Sequence, residues 1–134
     1  MEIGAGTGGT TKDIVSALAG TNGKPHSFAH YAFTDIGSAF CEKAAEEFDD
    51  YRSCMSFEVL DIEVEPSRQG FEEGAADVVI ATNVLHATKS IDQTLSNVAK
   101  LLKPGGKLCL IELTQKRLWT GLIFGCLPQW WKYV

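Results

Sequence analysis

The chain has 134 residues, of which 45% are hydrophobic and 22% are charged, a size and balance typical of one globular domain with its own core. Its formal net charge of −5 argues against a broad nucleic-acid surface, because such surfaces rely on clustered lysine and arginine. The longest late apolar run, residues 122–127, is far too short to span a bilayer, so we expect neither a nucleic-acid nor a membrane partner.

The first ten residues predict a short strand that breaks into a glycine-rich turn and then enters a helix. The glycines of EIGAGTGG let the backbone adopt positive φ angles and let a ligand approach main-chain N–H groups. Thr10 or Thr11 can cap the helix, and Gly20 can end it. A nucleotide-like cofactor is the natural occupant of such a loop.

Two further strands are each predicted to end at an acidic residue. Residues 30–34 are β-prone and stop at Asp35, and residues 56–60 stop at Asp61. A helix that begins at Ser38 separates them, since its apolar side chains recur at helical spacing. Both acids therefore follow strand ends.

The second half of the chain repeats this alternation. Residues 76–82 form a continuous apolar run of the kind buried on both faces of a parallel sheet, and Asn83 and His86 follow it. A Pro-Gly-Gly sequence ends the next helix, and residues 107–111 predict a fifth strand that stops at Glu112. The helix between these strands has four apolar residues at helical spacing: Ile91, Leu95, Val98 and Leu102.

Strict alternation of strand and helix predicts an α/β, doubly wound fold, with a mostly parallel sheet and helices on both faces. Open sheets of this kind bind ligands at the carboxyl ends of their strands. The glycine turn and the polar residues that follow the other strands all fall at that edge. We therefore expect the functional site there.

The glycine loop alone leaves two cofactors open, because it fits both the dinucleotide pattern GxGxxG and the S-adenosylmethionine pattern GxGxG. Glu2 precedes the turn, where a carboxylate would face a cationic ligand, while a pyrophosphate would gain nothing from it. This favours the sulfonium cofactor S-adenosyl-L-methionine. A nucleotide-dependent oxidoreductase is the alternative.

The chain resembles the class I S-adenosylmethionine-dependent methyltransferases, which have a Rossmann-like fold, through EIGAGTGG, FTD, LDIE, ATNVLH and LLKPGGKL. The segments NVLHAT and LIELT and the tail RLWTGLIFGCLPQWW are similar to the C-methyltransferase domains of fungal highly reducing polyketide synthases. The resemblance implies the strand order 3-2-1-4-5 and a methyltransferase core over residues 1–134. Both ends, Met1 and Val134, look cut, so we expect a piece of a larger multidomain synthase.

The resemblance also implies which residues bind the cofactor: Gly4, Gly6, Gly8, Asp35, Asp61, Ile62 and Asn83. In this assignment the glycines lie under the methionine part, Asp35 holds the ribose hydroxyls, and Asp61 with Ile62 meets the adenine. A carboxylate suits such roles because charge-assisted hydrogen bonds are strong. Asp35 and Asp61 could instead be turn or capping acids, and Asn83 could simply end its strand.

Methylation of an activated carbon requires a base, and histidine changes its protonation near neutral pH. In the order 3-2-1-4-5 the fourth and fifth strands are neighbours, so His86 and Glu112 can meet. A carboxylate on one ring nitrogen would fix the tautomer and stabilise the imidazolium. The family resemblance implies the same pair as a catalytic dyad that produces an enolate. The structural alternatives are a non-catalytic His86 and a Glu112 paired with Lys107 or Lys116.

By resemblance, the substrate is a β-ketoacyl thioester on an acyl carrier protein, methylated at its α-carbon beside neighbouring synthase domains. A small-molecule O- or N-methyltransferase and a non-catalytic methyltransferase-like domain are the alternatives. We expect weak or absent turnover from these 134 residues, because a lid and the remaining strands would lie outside them.

The other reactive and aromatic side chains indicate no second site. The four cysteines show no CxxC spacing, so we expect a reducing, cytoplasmic environment and no metal site. Trp119, Trp130 and Trp131 are expected to pack against the core or a neighbouring domain. His26 and His30 precede the second strand, away from the predicted cleft.

Overall fold

The computed structural model describes residues 1–20, 26–113 and Cys126. Lys116 and the three tryptophans therefore lie outside the described residues. The strands are β1 (Glu2–Ile3), β2 (Tyr31–Asp35), β3 (Met55–Val59), β4 (Ala76–Thr82) and β5 (Leu102–Ile111), and the helices are α1 (Gly9–Leu18), α2 (Ser38–Glu47) and α3 (Ile91–Leu101). Short 3-10 turns are found at Asp49–Tyr51, Pro66–Gln69 and Leu85–Ala87.

The five strands form one parallel sheet in the order β3-β2-β1-β4-β5. This confirms the predicted fold class and strand order. The first strand is short but central, since Glu2 pairs with Phe33 of β2 on one side and with Ile80 of β4 on the other. The strand order reverses at β1, so the ends of β1 and β4 lie at the switch point, where ligands bind in such sheets.

The core has two parts, one on each face of the sheet, because side chains alternate along each strand. On one face α1 and α2 pack against β2, and the buried residues there are Ala5, Val15, Tyr31, Phe33, Cys41, Ala44, Phe48 and Met55. On the other face α3 packs against β4 and β5, and the buried residues are Ile3, Leu60, Ile62, Val79, Ala81, Leu85, Val98 and Leu101. Helices therefore lie on both sides of the sheet, as in a doubly wound fold, although each covers only part of its face.

The start of α1 differs from the prediction. Gly8 is the N-cap residue, with φ 77°, and it caps without a side chain. Thr11 lies inside the helix, fully buried, and donates its hydroxyl to Glu2. The predicted cap at Thr10 or Thr11 is therefore wrong, because a buried carboxylate uses the Thr11 hydroxyl instead.

The burial of β4 and α3 also differs from the prediction. Val79 of β4 is fully buried, but Val78 is 39% exposed, and no described helix covers the Val78 face of β4 and β5. The expectation of burial on both faces is wrong for this part of the chain. In α3, Ile91 and Leu95 are 42% and 36% exposed, whereas the polar Asn97 is fully buried. No helix among the described residues is long and apolar enough to cross a membrane.

Candidate functional site

The glycine loop after β1 packs directly against the segment after β4. Gly4 has φ 60°, and a Cβ at this position would lie 2.5 Å from Cγ2 of Val84. Only glycine allows this approach, since both the backbone angle and the space exclude a side chain. The loop and the segment that contains Val84 are therefore held in one fixed arrangement at the carboxyl edge of the sheet.

Asp35 at the end of β2 binds this loop. Its Oδ2 accepts the Gly6 N–H at 2.9 Å and its Oδ1 accepts the Gly37 N–H at 2.8 Å. A Cβ on Gly6 would have its nearest neighbour 4.0 Å away, whereas one on Gly8 would lie 3.2 Å from Phe48. Of these two glycines, Gly6 leaves room for a ligand, while Gly8 closes the loop onto the core.

Glu2 does not lie on the open side of the loop. Its side chain is 1% exposed, and its Oε2 accepts hydrogen bonds from Thr11 Oγ1 at 2.5 Å and from the Tyr31 hydroxyl at 2.6 Å. Burial raises the pKa of Glu2, and the two hydrogen bonds act in the opposite direction. Burial, followed by the charge of Glu2, also raises the pKa of Tyr31. The predicted contact between Glu2 and a cationic cofactor therefore has no support in this arrangement.

Asp61 and Ile62, which follow β3, play different parts. The Oδ1 of Asp61 accepts the Glu63 N–H at 2.9 Å, which forms a tight turn at the strand end. The Ile62 side chain is 5% exposed and belongs to the core on the α3 face. Only main-chain atoms of Ile62 can therefore meet a ligand, whereas the Asp61 carboxylate lies at the surface of the turn.

The segment after β4 begins with an unusual backbone conformation. Asn83 has φ 55°, which few residues other than glycine adopt. Its N–H donates to the carbonyl oxygen of Ile111 in β5 at 2.7 Å. The chain then forms the 3-10 turn Leu85–Ala87, which contains His86. Asn83 therefore redirects the chain so that His86 faces the end of β5.

His86 and Glu112 are in contact, as the strand order predicts. His86 Nδ1 and Glu112 Oε2 are 2.5 Å apart. The other oxygen, Oε1, accepts the N–H groups of Val84 at 3.1 Å and Leu85 at 2.8 Å. The His86 side chain is 43% exposed and that of Glu112 is 21% exposed. One carboxylate therefore orients the imidazole, leaves it accessible, and supports the turn that contains it.

Two supporting residues were not predicted from the sequence. Val84 fills the space that Gly4 leaves, and Gln69 binds the main chain of Asp61. A valine after an apolar strand and a glutamine in a polar loop carry no pattern that indicates such contacts. The described residues contain no cluster of three or more His, Cys, Asp or Glu side chains able to hold a metal ion.

A cavity of about 640 Å³ lies at the opposite edge of the sheet. It is bordered by the amino ends of β2 and β4, including Tyr31 and Ala76, and by Phe28, Phe71 and Lys103. None of the predicted site residues borders it. The candidate site is therefore the open cleft at the carboxyl edge and not this cavity.

Comparison with known proteins agrees with this architecture. The family model described as "Methyltransferase domain" matches residues 1–108. The highly reducing polyketide synthase azaB of Aspergillus niger is 56% identical over 133 residues, which cover 98% of this chain and 5% of that synthase. The chain thus spans a small part of the curated relative.

Two crystal structures have the same fold. The CurJ carbon methyltransferase is 53% identical with a TM-score of 0.84, over 98% of this chain and 33% of that one. The trans-methyltransferase CalH, in complex with SAH, is 45% identical with a TM-score of 0.90, over 97% of this chain and 36% of that one. The predicted resemblance to C-methyltransferase domains of polyketide synthases is confirmed. Since the family model covers most of its length, the chain belongs to the methyltransferase domain family.

Proposed function

We propose that this domain methylates the α-carbon of a β-ketoacyl thioester during polyketide synthesis and uses S-adenosylmethionine. The observation that carries the proposal is the contact of 2.5 Å between His86 Nδ1 and Glu112 Oε2, beside the glycine loop. A methyltransferase acting on an oxygen or nitrogen that is already nucleophilic would need less from such a base. A carbon acid requires one, so the dyad favours C-methylation.

The residues of the cleft fit the cofactor. Gly6 leaves space above the loop, where the methionine part would lie. Asp35 and Asp61 would hold the ribose hydroxyls and the adenine amine, and Ile62 could add only main-chain contacts. Asn83 directly follows β4, so it lies at the same carboxyl edge of the sheet and could also contact the cofactor. When bound, S-adenosylmethionine supplies an electrophilic methyl group. The complex of CalH with SAH, the demethylated form of this cofactor, supports the assignment.

The dyad can remove a proton from the α-carbon of the substrate. With a carboxylate on Nδ1, the ring proton of neutral His86 resides on Nδ1, and Nε2 keeps a lone pair. Nε2 takes the α-proton, the C–H electron pair becomes the enolate, and Glu112 stabilises the imidazolium. The enolate carbon is then the nucleophile for the methyl group.

We also propose the partners and the setting. Relatives such as azaB are named as polyketide synthases, which supports an acyl carrier protein as the substrate carrier and further synthase domains as neighbours. A cytoplasmic location is consistent with Cys41, Cys54 and Cys109, which form no disulfide.

Binding and product analysis test the proposal. We expect calorimetry to show that S-adenosylmethionine binds to the protein and that NAD binds more weakly or not at all. With this domain assayed inside its complete synthase and given a β-ketoacyl thioester, we expect a product heavier by one CH₂, placed on the α-carbon by fragmentation in mass spectrometry. His86→Ala should abolish this product and leave cofactor binding intact, while the matched control His30→Ala, at an exposed position away from the cleft, should have no effect. Tighter binding of NAD, or methylation at oxygen, would contradict the proposal.

A further inference from the structure

The Gln69 side chain holds Asp61 in the turn after β3. Its Oε1 accepts the Asp61 N–H at 2.9 Å, and its Nε2 donates to the Asp61 carbonyl oxygen at 2.8 Å. The same Nε2 also donates to the carbonyl oxygens of Val64 at 3.1 Å and Glu65 at 3.5 Å. The amide thus satisfies both main-chain groups of Asp61, as a neighbouring strand would.

A second amide holds the next residue from the opposite side. Asn97 of α3 is fully buried, and its Nδ2 donates to the Ile62 carbonyl oxygen at 2.8 Å. Gln93 in turn donates to the Oδ1 of Asn97 at 3.2 Å. Because Asp61 and Ile62 are fixed from two elements, the backbone of the turn has one arrangement.

This arrangement sets the direction of the Asp61 carboxylate. Its Oδ1 accepts the Glu63 N–H, and no donor among residues 1–20 and 26–113 hydrogen-bonds to its Oδ2. An oxygen held in this way can accept a hydrogen bond from an amine of a ligand, and it repels a carbonyl oxygen in the same place. The contrast between amine and carbonyl is the difference between adenine and hypoxanthine at C6.

We propose that Gln69 is a positioning residue that gives the cofactor site its preference for adenine, by fixing the direction of the Asp61 carboxylate. The inference rests on the proposed function, in which Asp61 accepts a hydrogen bond from the adenine amine. Gln69 itself makes no contact with the cofactor in this role.

The preference is measured as a ratio of two dissociation constants, for S-adenosylhomocysteine and for its counterpart with hypoxanthine, S-inosylhomocysteine. Calorimetry with the 134-residue chain should give a preference for the adenine form of about 10- to 100-fold, the value of one well-placed polar contact. Gln69→Ala should reduce this ratio at least about three-fold, chiefly by weakening binding of the adenine form. A residue that only stabilised the fold would weaken both ligands alike and leave the ratio unchanged.

Two further variants make the result specific. Gln69→Glu keeps an acceptor for the Asp61 N–H but replaces the donor that faces three carbonyl oxygens, so it should also reduce the ratio. It provides the test if Gln69→Ala does not fold. Lys100→Met removes the ion pair of Lys100 with Glu65 on the same turn and leaves the Gln69 contacts intact. This control should show the same ratio of dissociation constants as the unsubstituted protein.

Asp61→Asn separates this inference from the proposed function. If that variant loses the preference while the folded Gln69 variants keep it, the positioning role is wrong and the proposed function stands. An equal effect of Lys100→Met would also overturn the positioning role, because the turn would then act as a whole. If the unsubstituted chain binds neither ligand, the proposed function is overturned and this inference with it.

Discussion

The two oxygens of Glu112 have different partners, and this division predicts the effect of changing one atom. In Glu112→Gln, the amide oxygen can still accept the N–H groups of Val84 and Leu85, which places the NH₂ group against His86 Nδ1. Nδ1 must then accept, so the ring proton moves to Nε2 and the imidazole can no longer take a proton there. In the complete synthase we expect methyl transfer to fall about 10³- to 10⁴-fold, measured by single-turnover mass spectrometry, while calorimetry should show unchanged cofactor binding.

Two other variants test this explanation. Glu112→Ala also removes the acceptor for two N–H groups, so its unfolding free energy should fall by about 1–3 kcal/mol more than that of Glu112→Gln. Glu73→Gln makes the same chemical change at an exposed position and should leave transfer unchanged. A rate for Glu112→Gln within a few-fold of the unsubstituted protein would show that the tautomer does not matter.

At the level of single residues, the sequence predicted contacts that follow from strand order and missed those that depend on side-chain direction. His86 and Glu112 follow neighbouring strands, so the strand order alone predicts that they lie close together. Glu2 also lies at a strand end, but in a strand of two residues a carboxylate can face either side of the sheet. Hydroxyls from α1 and β2 decide that direction, and neither is adjacent to Glu2 in the sequence.

For whole elements, too, the prediction succeeded where a local pattern decides the structure and failed where contacts in the folded chain decide it. The bounds of β4 agree with the prediction because six of its seven residues are apolar or β-prone and polar loops flank them, which leaves little choice. The buried face of α3 was predicted only in part: Val98 is buried, but Ile91 and Leu95 are exposed. Periodicity counts apolar side chains, so it missed the buried but polar Asn97. Its amide is buried because the Ile62 carbonyl oxygen needs a donor. That requirement arises only in the folded chain.

The contact between the loop after β1 and the segment after β4 predicts a coupling between two elements. Gly4→Ala adds a Cβ 2.5 Å from Val84 Cγ2 at φ 60°, so both a clash and backbone strain should reduce the unfolding free energy, by about 2–4 kcal/mol in total. Val84→Ala alone should cost about 1–3 kcal/mol through the lost packing. Urea denaturation of both single variants and the double variant measures these values.

The double variant distinguishes clash from strain. Val84→Ala removes the two methyl groups that a new Cβ would meet but leaves the positive φ of Gly4. The cost of Gly4→Ala should therefore be smaller by about 1 kcal/mol or more in the Val84→Ala background, with the strain of the backbone remaining. Additive costs would mean that the two elements do not restrain each other.

At the scale of the whole molecule, one buried carboxylate joins two strands of the sheet to the first helix. Glu2 of β1 binds Thr11 of α1 and Tyr31 of β2. Its burial has an electrostatic cost, because a charge inside the protein loses its hydration. The same network that aligns the glycine loop with the sheet should therefore make the stability of the fold depend on pH.

The raised pKa of Glu2 determines the sign of that dependence. Between its ordinary value of 4.5 and the higher value in the folded protein, the native state holds a proton that the unfolded state has released. The contribution of Glu2 to stability is then fully present below pH 4.5 and is lost as the pH rises through the folded pKa, by about 1.4 kcal/mol for each pH unit in that interval.

Glu2→Gln cannot titrate, and its amide oxygen can accept a hydrogen bond from both hydroxyls. Urea denaturation over this pH range should show the unsubstituted protein losing stability relative to Glu2→Gln, while the exposed control Glu73→Gln runs parallel to the unsubstituted protein. Parallel curves for Glu2→Gln would mean that the carboxylate is not held in the buried network.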